Sequence, residues 1–295
     1  MHVSIATGYL RGLSPEDMVR TFASRGWQWL ELSHDHQNIL FERGDPAKTG
    51  KAFRRFADDH GVAFEQGHFL LYTPGAPGQD GPEGADTAPA DDCLFEQAME
   101  SMKRWVDLFA AIGIRAGVYH HGGWDLARLG WSRQQTLARR REGIERVCGY
   151  ARGTGVRICI ENLPGYTAGY EQLRPLVEFL PHDEIGVCLD TGHANMQGVD
   201  CADFVRMAGQ RLAALHVQDT VGKDDDHIMP YGRGTVDWVA FLAALSETGY
   251  AGLFNFELGG EALLTCPMEV RLMKLDYIRQ MGLWMTTEAT GCREI

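Results

Sequence analysis

The sequence predicts one α/β domain over residues 1–295, built as a (β/α)8 barrel of eight parallel strands inside a ring of helices, and three observations predict it. Short β-branched or aliphatic runs alternate eight times with capped, amphipathic stretches, the pattern that produces a parallel sheet buried on both faces. The 295 residues, 44% of them hydrophobic, suffice for a barrel of typically about 250 residues with insertions. Four of the apolar runs end on Glu161, Asp190, His216 and Glu257, polar groups out of place at the end of a buried strand unless chemistry there needs them.

Taken in order, strand one is expected near Val3–Ala6. Ser14 then caps a helix with Pro15 at its first position and Asp17 as its third-residue carboxylate, and Met18, Val19 and Phe22 give it an apolar face. Strand two follows at Trp27–Leu32, Asp45-Pro46 opens a helix with Phe53, Phe56 and Ala57 inward, and strand three is Val62–His68. Between Thr73 and Asp92 the composition turns to Gly, Pro, Asp and Ala, which marks a loop of roughly twenty residues, either a disordered insertion or a lid-like loop (73–92) over the active face.

Phe95, Met99, Met102, Val106, Phe109 and Ile112 recur at helical spacing and are expected in the core. Strand four, Ile114–His120, leads into His121-Gly122-Gly123-Trp124. A helix with Leu137, Ile144, Val147, Cys148 and Ala151 inward returns the chain to strand five and Glu161. Leu173, Leu176, Val177 and Leu180 mark the next helix before strand six and Asp190. Asp200 caps the helix of Phe204, Val205 and Ala208, and strand seven contains His216. Asp237 caps a helix through Trp238, Phe241, Leu242 and Leu245; strand eight, Gly252–Phe256, delivers Glu257; Pro267 opens a last helix with Val270, Met273, Tyr277 and Met281; and the last dozen residues read as a tail.

The formal net charge of −12 argues against a sequence-independent grip on nucleic acid, which requires basic surface. Seven cysteines without a C-x-x-C pair, two of them inside expected strands, read as reduced thiols of a cytoplasmic protein. No apolar stretch approaches 18 residues, and the first residues enter a strand without a basic flank, so neither a membrane span nor a signal peptide is expected.

If consecutive strands are parallel neighbours, Glu161, Asp190, His216 and Glu257 lie around one rim at spacings of about 4.8 Å per strand and can converge on one ion. Three carboxylates and one imidazole make an oxygen-rich set, suited to one divalent ion: Mn²⁺ first, with Mg²⁺, Co²⁺, Fe²⁺ or Zn²⁺ as alternatives. The succession Glu161-Asn162, Asp190-x-x-His193, His216-x-x-Asp219, His227, Pro230-x-Gly232-x-Gly234-x-x-Asp237-Trp238 and Glu257 resembles the xylose-isomerase-like TIM barrel superfamily, in particular its sugar (phosphate) isomerase and epimerase branch. The likeness is specific over strands four to eight. It implies that Glu161, Asp190, His216 and Glu257 hold the metal and that Glu161 and Glu257 also act as acid and base.

The implied reaction removes a proton next to a carbonyl of a small sugar or sugar derivative, passes through an enediolate, and returns the proton to the opposite face or to the neighbouring carbon. Loss of a β-hydroxyl from the same intermediate would make a dehydratase of a keto-sugar or keto-inositol. His193, His227, Arg233, His68, His120 and Trp124 form the candidate substrate-binding set. Arg233 departs from the family pattern, in which Glu often stands between those glycines, as does Tyr231; Arg233 either meets an anionic group or pairs with Asp237. A homo-oligomer is compatible with this reading.

Two other classes fit. The apurinic-site endonucleases of the same superfamily hold three zinc ions, and His68, His120, Glu161, Asp190, His193, His216, Asp225, His227 and Glu257 can be laid onto their ligand set. Against that stand His121 in place of a proline, Tyr231 and Arg233, and the acidic charge. A non-catalytic sugar-binding subunit would not need two acid-base glutamates.

Overall fold

A computed structural model of the protein describes residues 1–69, 86–261 and 265–290. In chain order they form β1 (His2–Ala6), α1 (Pro15–Ser24), β2 (Trp29–Leu32), α2 (His34–Phe41), α3 (Pro46–Asp59), β3 (Ala63–His68), α4 (Asp92–Ile112), β4 (Ala116–Tyr119), α5 (Arg133–Ala151), β5 (Arg157–Glu161), α6 (Tyr170–Val177), β6 (Ile185–Asp190), α7 (Thr191–Met196), α8 (Cys201–Ala208), β7 (Leu212–His216), α9 (Trp238–Thr248), β8 (Leu253–Phe256) and α10 (Met268–Thr290). The strands are parallel and follow one another in sequence order, from β7 down to β1 and on to β8. The ring is closed just past β7, where Val217 bridges Phe256 and its N–H donates to the Asn255 carbonyl at 2.7 Å. This is the (β/α)8 barrel that the alternation of elements predicts.

Two irregularities in the strand pairing set the level of the site residues. On β7 the register against β6 slips between Val187 and Cys188, so that Ala213 is passed over and His216 stands opposite Asp190. On β3 it slips at Leu30/Glu31, which passes over Glu65 and puts Gln66 beside Glu31. Since side chains alternate faces along a strand, each extra residue decides which side chain enters the barrel.

The caps expected from the sequence form: Ser14, Asp45, Asp200 and Asp237 each accept a backbone N–H of the first turn, and Asp91 and Ser132 do the same for α4 and α5. The stripe Phe95, Met99, Met102, Val106, Phe109, Ile112 of α4 is buried core. Below the site, Val118, Cys159, Cys188 and Ala214 fill the barrel with small side chains. Strands β2 and β4 are shorter than expected, starting at Trp29 and ending at Tyr119, and Leu180 lies beyond the end of α6.

Three expectations are corrected. Helix α2 is an unforeseen extra element between β2 and α3. Helix α10 turns its Val270, Met273 and Tyr277 side outward and buries Leu275, Ile278 and Met285; a helix apolar around most of its circumference does not declare its inner face by periodicity. The same helix continues to Thr290, so most of the expected tail is ordered helix. Of the loop at 73–92, residues 73–85 lie outside the described residues. Residues 86–91 are docked on the turn after β4: Asp86 accepts from the Trp124 N–H at 3.1 Å and Thr87 donates to the His120 carbonyl at 2.9 Å. Among the described residues, no helix is long and apolar enough to cross a membrane, and the six cysteines are unpaired.

Candidate metal centre

Each of the four strand-end residues is placed by its own element. Glu161 is the last residue of β5, Asp190 the last of β6, His216 the last of β7, and Glu257 follows β8. Their donor atoms all lie within 4.8 Å of one another, at the C-terminal rim. The Nδ1 of His216 is the hub, 3.1 Å from Glu161 Oε1 and 3.2 Å from Glu257 Oε2. Asp190 also caps the short helix α7, its Oδ1 accepting from the His193 N–H at 2.7 Å, and Gln218 Nε2 donates to the same oxygen at 3.1 Å. Asn162, next to Glu161, exchanges hydrogen bonds with the backbone of Asp190 (2.7 and 3.0 Å) and so ties β5 to β6 at the rim.

A wider set of histidines surrounds these four. His68 and His120 both direct Nε2 at Glu161 Oε2, at 3.2 and 2.8 Å, and His193 Nδ1 lies 3.4 Å from Glu161 Oε1. His193, Asp225 and His227 form a second cluster with metal-ligand spacing, with Asp225 Oδ2 3.4 Å from His193 Nε2 and 3.0 Å from His227 Nε2. His227 adopts a left-handed backbone (φ 48°), rare for a residue with a side chain, and its Nδ1 lies 2.9 Å from the Glu257 carbonyl.

Trp124 stands at the rim 6.3 Å from the His120 ring, packed with His121 and Tyr166. Arg233 alone of the expected set is not brought to the cluster: its side chain is 72% exposed and its nearest carboxylate is Asp226, at 4.0 Å, not Asp237. Asp219 of the His216-x-x-Asp219 motif is structural, accepting from Trp238 Nε1 at 2.7 Å and from the Thr235 and Val236 N–H groups.

The site also contains groups that sequence reasoning passed over. Glu31, at the inner end of β2, lies 3.2 Å from His216 Nε2 and accepts from Gln66 Nε2 at 2.8 Å and from Asn255 Nδ2. The signal was present, since Trp29-Leu30-Glu31-Leu32 is another apolar strand interrupted by a carboxylate. Gln218, between Asp190 and Asp225, carried no such mark.

Burial would raise the Glu161 carboxyl, but the His216 and His120 imidazoles outweigh it and hold the group well below the ordinary range. Asp190 goes the other way. Burial, opposed by His193 and reinforced by Asp225, Glu257 and Glu161, pushes its carboxyl up to about 6. Burial lowers the His216 imidazole, and Cys188, Glu257, Glu31 and Glu161 more than restore it, to well above the usual value. The Asp225 and Glu257 carboxylates likewise outweigh burial at His227, which rises to about 10. Three carboxylates facing one another around a single imidazole nitrogen repel in a dry rim, and a divalent cation is the group that such a donor set fits.

Comparison with known proteins accords with this geometry. Residues 19–274 match the family model described as xylose isomerase-like TIM barrel. The chain is 30% identical over 113 residues to the inosose isomerase of Bacillus subtilis, covering 35% of this chain and 40% of that one. It is 25% identical over 271 residues to a probable endonuclease 4 of Nitratidesulfovibrio vulgaris, covering 85% and 87%. Several of the curated relatives are thus matched over about half their length or less. Among solved structures, the D-psicose 3-epimerase with D-tagatose from Clostridium cellulolyticum H10 superposes with a TM-score of 0.78 at 17% identity, over 99% of this chain and 100% of that one. The IolI protein with a zinc atom gives 0.71 at 15% identity, over 99% and 98%. At those identities the structural likeness concerns the fold.

Proposed function

The chain belongs to the xylose isomerase-like TIM barrel family, and from that premise we propose that it is a divalent-metal-dependent isomerase or epimerase of a small sugar or sugar derivative. The observation that carries the reading is the convergence of two glutamates from strands three apart, Glu161 and Glu257, on His216 Nδ1 at 3.1 and 3.2 Å. Glu161, Asp190, His216 and Glu257 would hold one ion, Mn²⁺ first among Mg²⁺, Co²⁺, Fe²⁺ and Zn²⁺. When bound, that ion supplies charge stabilisation for the oxygens of a carbonyl and its neighbouring hydroxyl.

The chain's own residues do the rest. His68 and His120 direct Nε2 at Glu161 Oε2, while Oε1 faces His216 Nδ1 at 3.1 Å. Glu257 is the more open of the two carboxylates, its side chain 24% exposed against 2% for Glu161. One glutamate takes the proton next to the carbonyl, leaving an enediolate, and the other returns a proton to the opposite face or the adjacent carbon. His193 and His227, whose Nε2 atoms face Asp225 Oδ2, would contact substrate oxygens by exchanging that partner for substrate, and Trp124 with Tyr166 lines one side of the entrance. Loss of a β-hydroxyl from the same intermediate is the dehydratase outcome.

A specific observation also favours a second reading. The nine residues of the three-zinc endonuclease set come together, including the cluster His193, Asp225 and His227, and an endonuclease-type relative is matched along most of its length. The net charge of −12 speaks against a DNA groove. The deciding experiment assays ketoses, aldoses and keto-inositols, free and phosphorylated, with Mn²⁺, Mg²⁺ or Co²⁺ in deuterated water, beside metal counting and an abasic-DNA nicking assay. Metal-dependent turnover with deuterium entering the reacting carbon is expected. An inert panel, three ions per chain and DNA nicking would replace this reading with the phosphodiesterase.

A further inference from the structure

We propose that Glu31 is a positioning residue, which fixes His216 with its proton on Nε2 and thereby aims the Nδ1 lone pair at the ion. The inference rests on the metal-centre reading above. It concerns a residue outside the four ligands, at the centre of the barrel below them.

Glu31 is 1% exposed and the His216 side chain is fully buried, so neither can turn to water for a hydrogen bond. The two ring nitrogens of His216 face different groups: Nδ1 faces Glu161 and Glu257, and Nε2 faces Glu31, at 3.2 Å from Oε1 and 3.1 Å from Oε2. The orientation of the Glu31 carboxylate is fixed by its other partners. Oε2 accepts from the amides of Gln66 and Asn255. Gln66 is held in that orientation because its Nε2 also donates to the Leu215 carbonyl at 3.1 Å, and Asn255 Oδ1 accepts from Ser4 Oγ at 2.9 Å. Two donors on Oε2 leave Oε1 to take the proton of His216. A carboxylate bonded to the far nitrogen of a ligating histidine sets its tautomer and raises its basicity, and loss of such a partner typically costs about 10- to 100-fold in metal affinity.

The position of Glu31 follows from the β3 irregularity. Passing over Glu65 sets Gln66, not the more exposed Glu65, against Glu31. A second carboxylate there would repel the first; an amide donates to it.

The chemistry also predicts what an isosteric change does. In Glu31→Gln the new side chain either turns its oxygen to His216, and its NH2 then meets the NH2 groups of Gln66 and Asn255, or turns its NH2 to His216 Nε2. The second arrangement strips the proton from Nε2, places it on Nδ1 and occupies the lone pair the ion requires.

The test has two arms. In histidine-15N-labelled wild-type protein, NMR of the zinc-loaded form should show His216 ligated through Nδ1 with a slowly exchanging proton on Nε2; ligation through Nε2 overturns the proposal without any variant. In the second arm, Mn²⁺ affinity by chelator competition should fall about 10- to 100-fold in Glu31→Gln, with the metal-free protein still folded by circular dichroism. Affinity within twofold of wild type in a folded variant also overturns it. If wild type binds no divalent ion, the metal-centre reading itself fails, an outcome distinct from ligation through Nε2 or an unchanged affinity in the variant.

Discussion

Asp190→Asn should stabilise the protein when metal is removed and weaken it when metal is present, a reversal that only a site built for a cation produces. The Asp190 carboxyl is pushed up to about 6 by burial and by the neighbouring carboxylates of Asp225, Glu257 and Glu161, against the pull of His193. A raised carboxylate is one the fold prefers protonated, so stability falls as pH rises from the unfolded value near 4 to about 6 and stays lower above it. A displacement of about two pH units corresponds to roughly 3 kcal/mol at pH 7. Asparagine removes the charge yet retains the oxygen that accepts from the His193 N–H and caps α7. For 295 residues the unfolding entropy is on the order of 0.6 kcal/mol/K, so the gain amounts to roughly 5 °C in Tm.

The assay is calorimetry in chelator at pH 7 and again near pH 4, where the advantage should vanish. With Mn²⁺ at about a thousand times its Kd, wild type should gain about 4.1 kcal/mol, which the variant lacks and which outweighs its advantage in chelator. A variant less stable than wild type in chelator would refute the reasoning, because the four carboxylates would then be at ease without a cation.

Three further outcomes follow from the same geometry. Glu257→Gln should lower turnover by about 10²-fold or more while the Tm of the metal-free protein stays close to wild type; turnover within a few fold would point to the non-catalytic binder. His121, buried and beside Arg140, has its imidazole pulled down to about 3. Its neutral form therefore favours the fold fully above about pH 6.5, and in urea unfolding the wild type's advantage over His121→Gln should shrink by about 1.4 kcal/mol per pH unit as the pH falls below that; a pH-independent gap would contradict it. Gly234→Ala would drive a methyl into the Asp219 carboxylate, which gathers the Thr235, Val236 and Trp238 donors. Thermal unfolding should show a loss of about 1 to 3 kcal/mol, and an unchanged Tm would show that this loop yields freely.

The strand-end signal made the four candidate ligands legible because a charge that closes an aliphatic run is conspicuous in one dimension. Glu31 obeys the same rule and went unread, since a leucine follows it and hides the end of the strand. The register slips that raise His216 to the level of Asp190 and bring Gln66 to Glu31 leave no mark in composition or periodicity. Helix α10 was recognisable as a helix, but its buried face was not, because apolar residues surround it. Arg233 was expected near substrate from its place between two glycines, yet the turn containing Tyr231 (φ 59°) carries it outward. Motif spacing reports which loop a residue occupies, while backbone conformation decides where its side chain goes.

The central claim is that Glu161, Asp190, His216 and Glu257 hold one catalytic ion. Anomalous diffraction from crystals equilibrated with Mn²⁺ tests it most directly. The account predicts a peak bonded to those four side chains, with His216 contributing Nδ1. A peak at His193, Asp225 and His227 with none at the four-residue rim would contradict it.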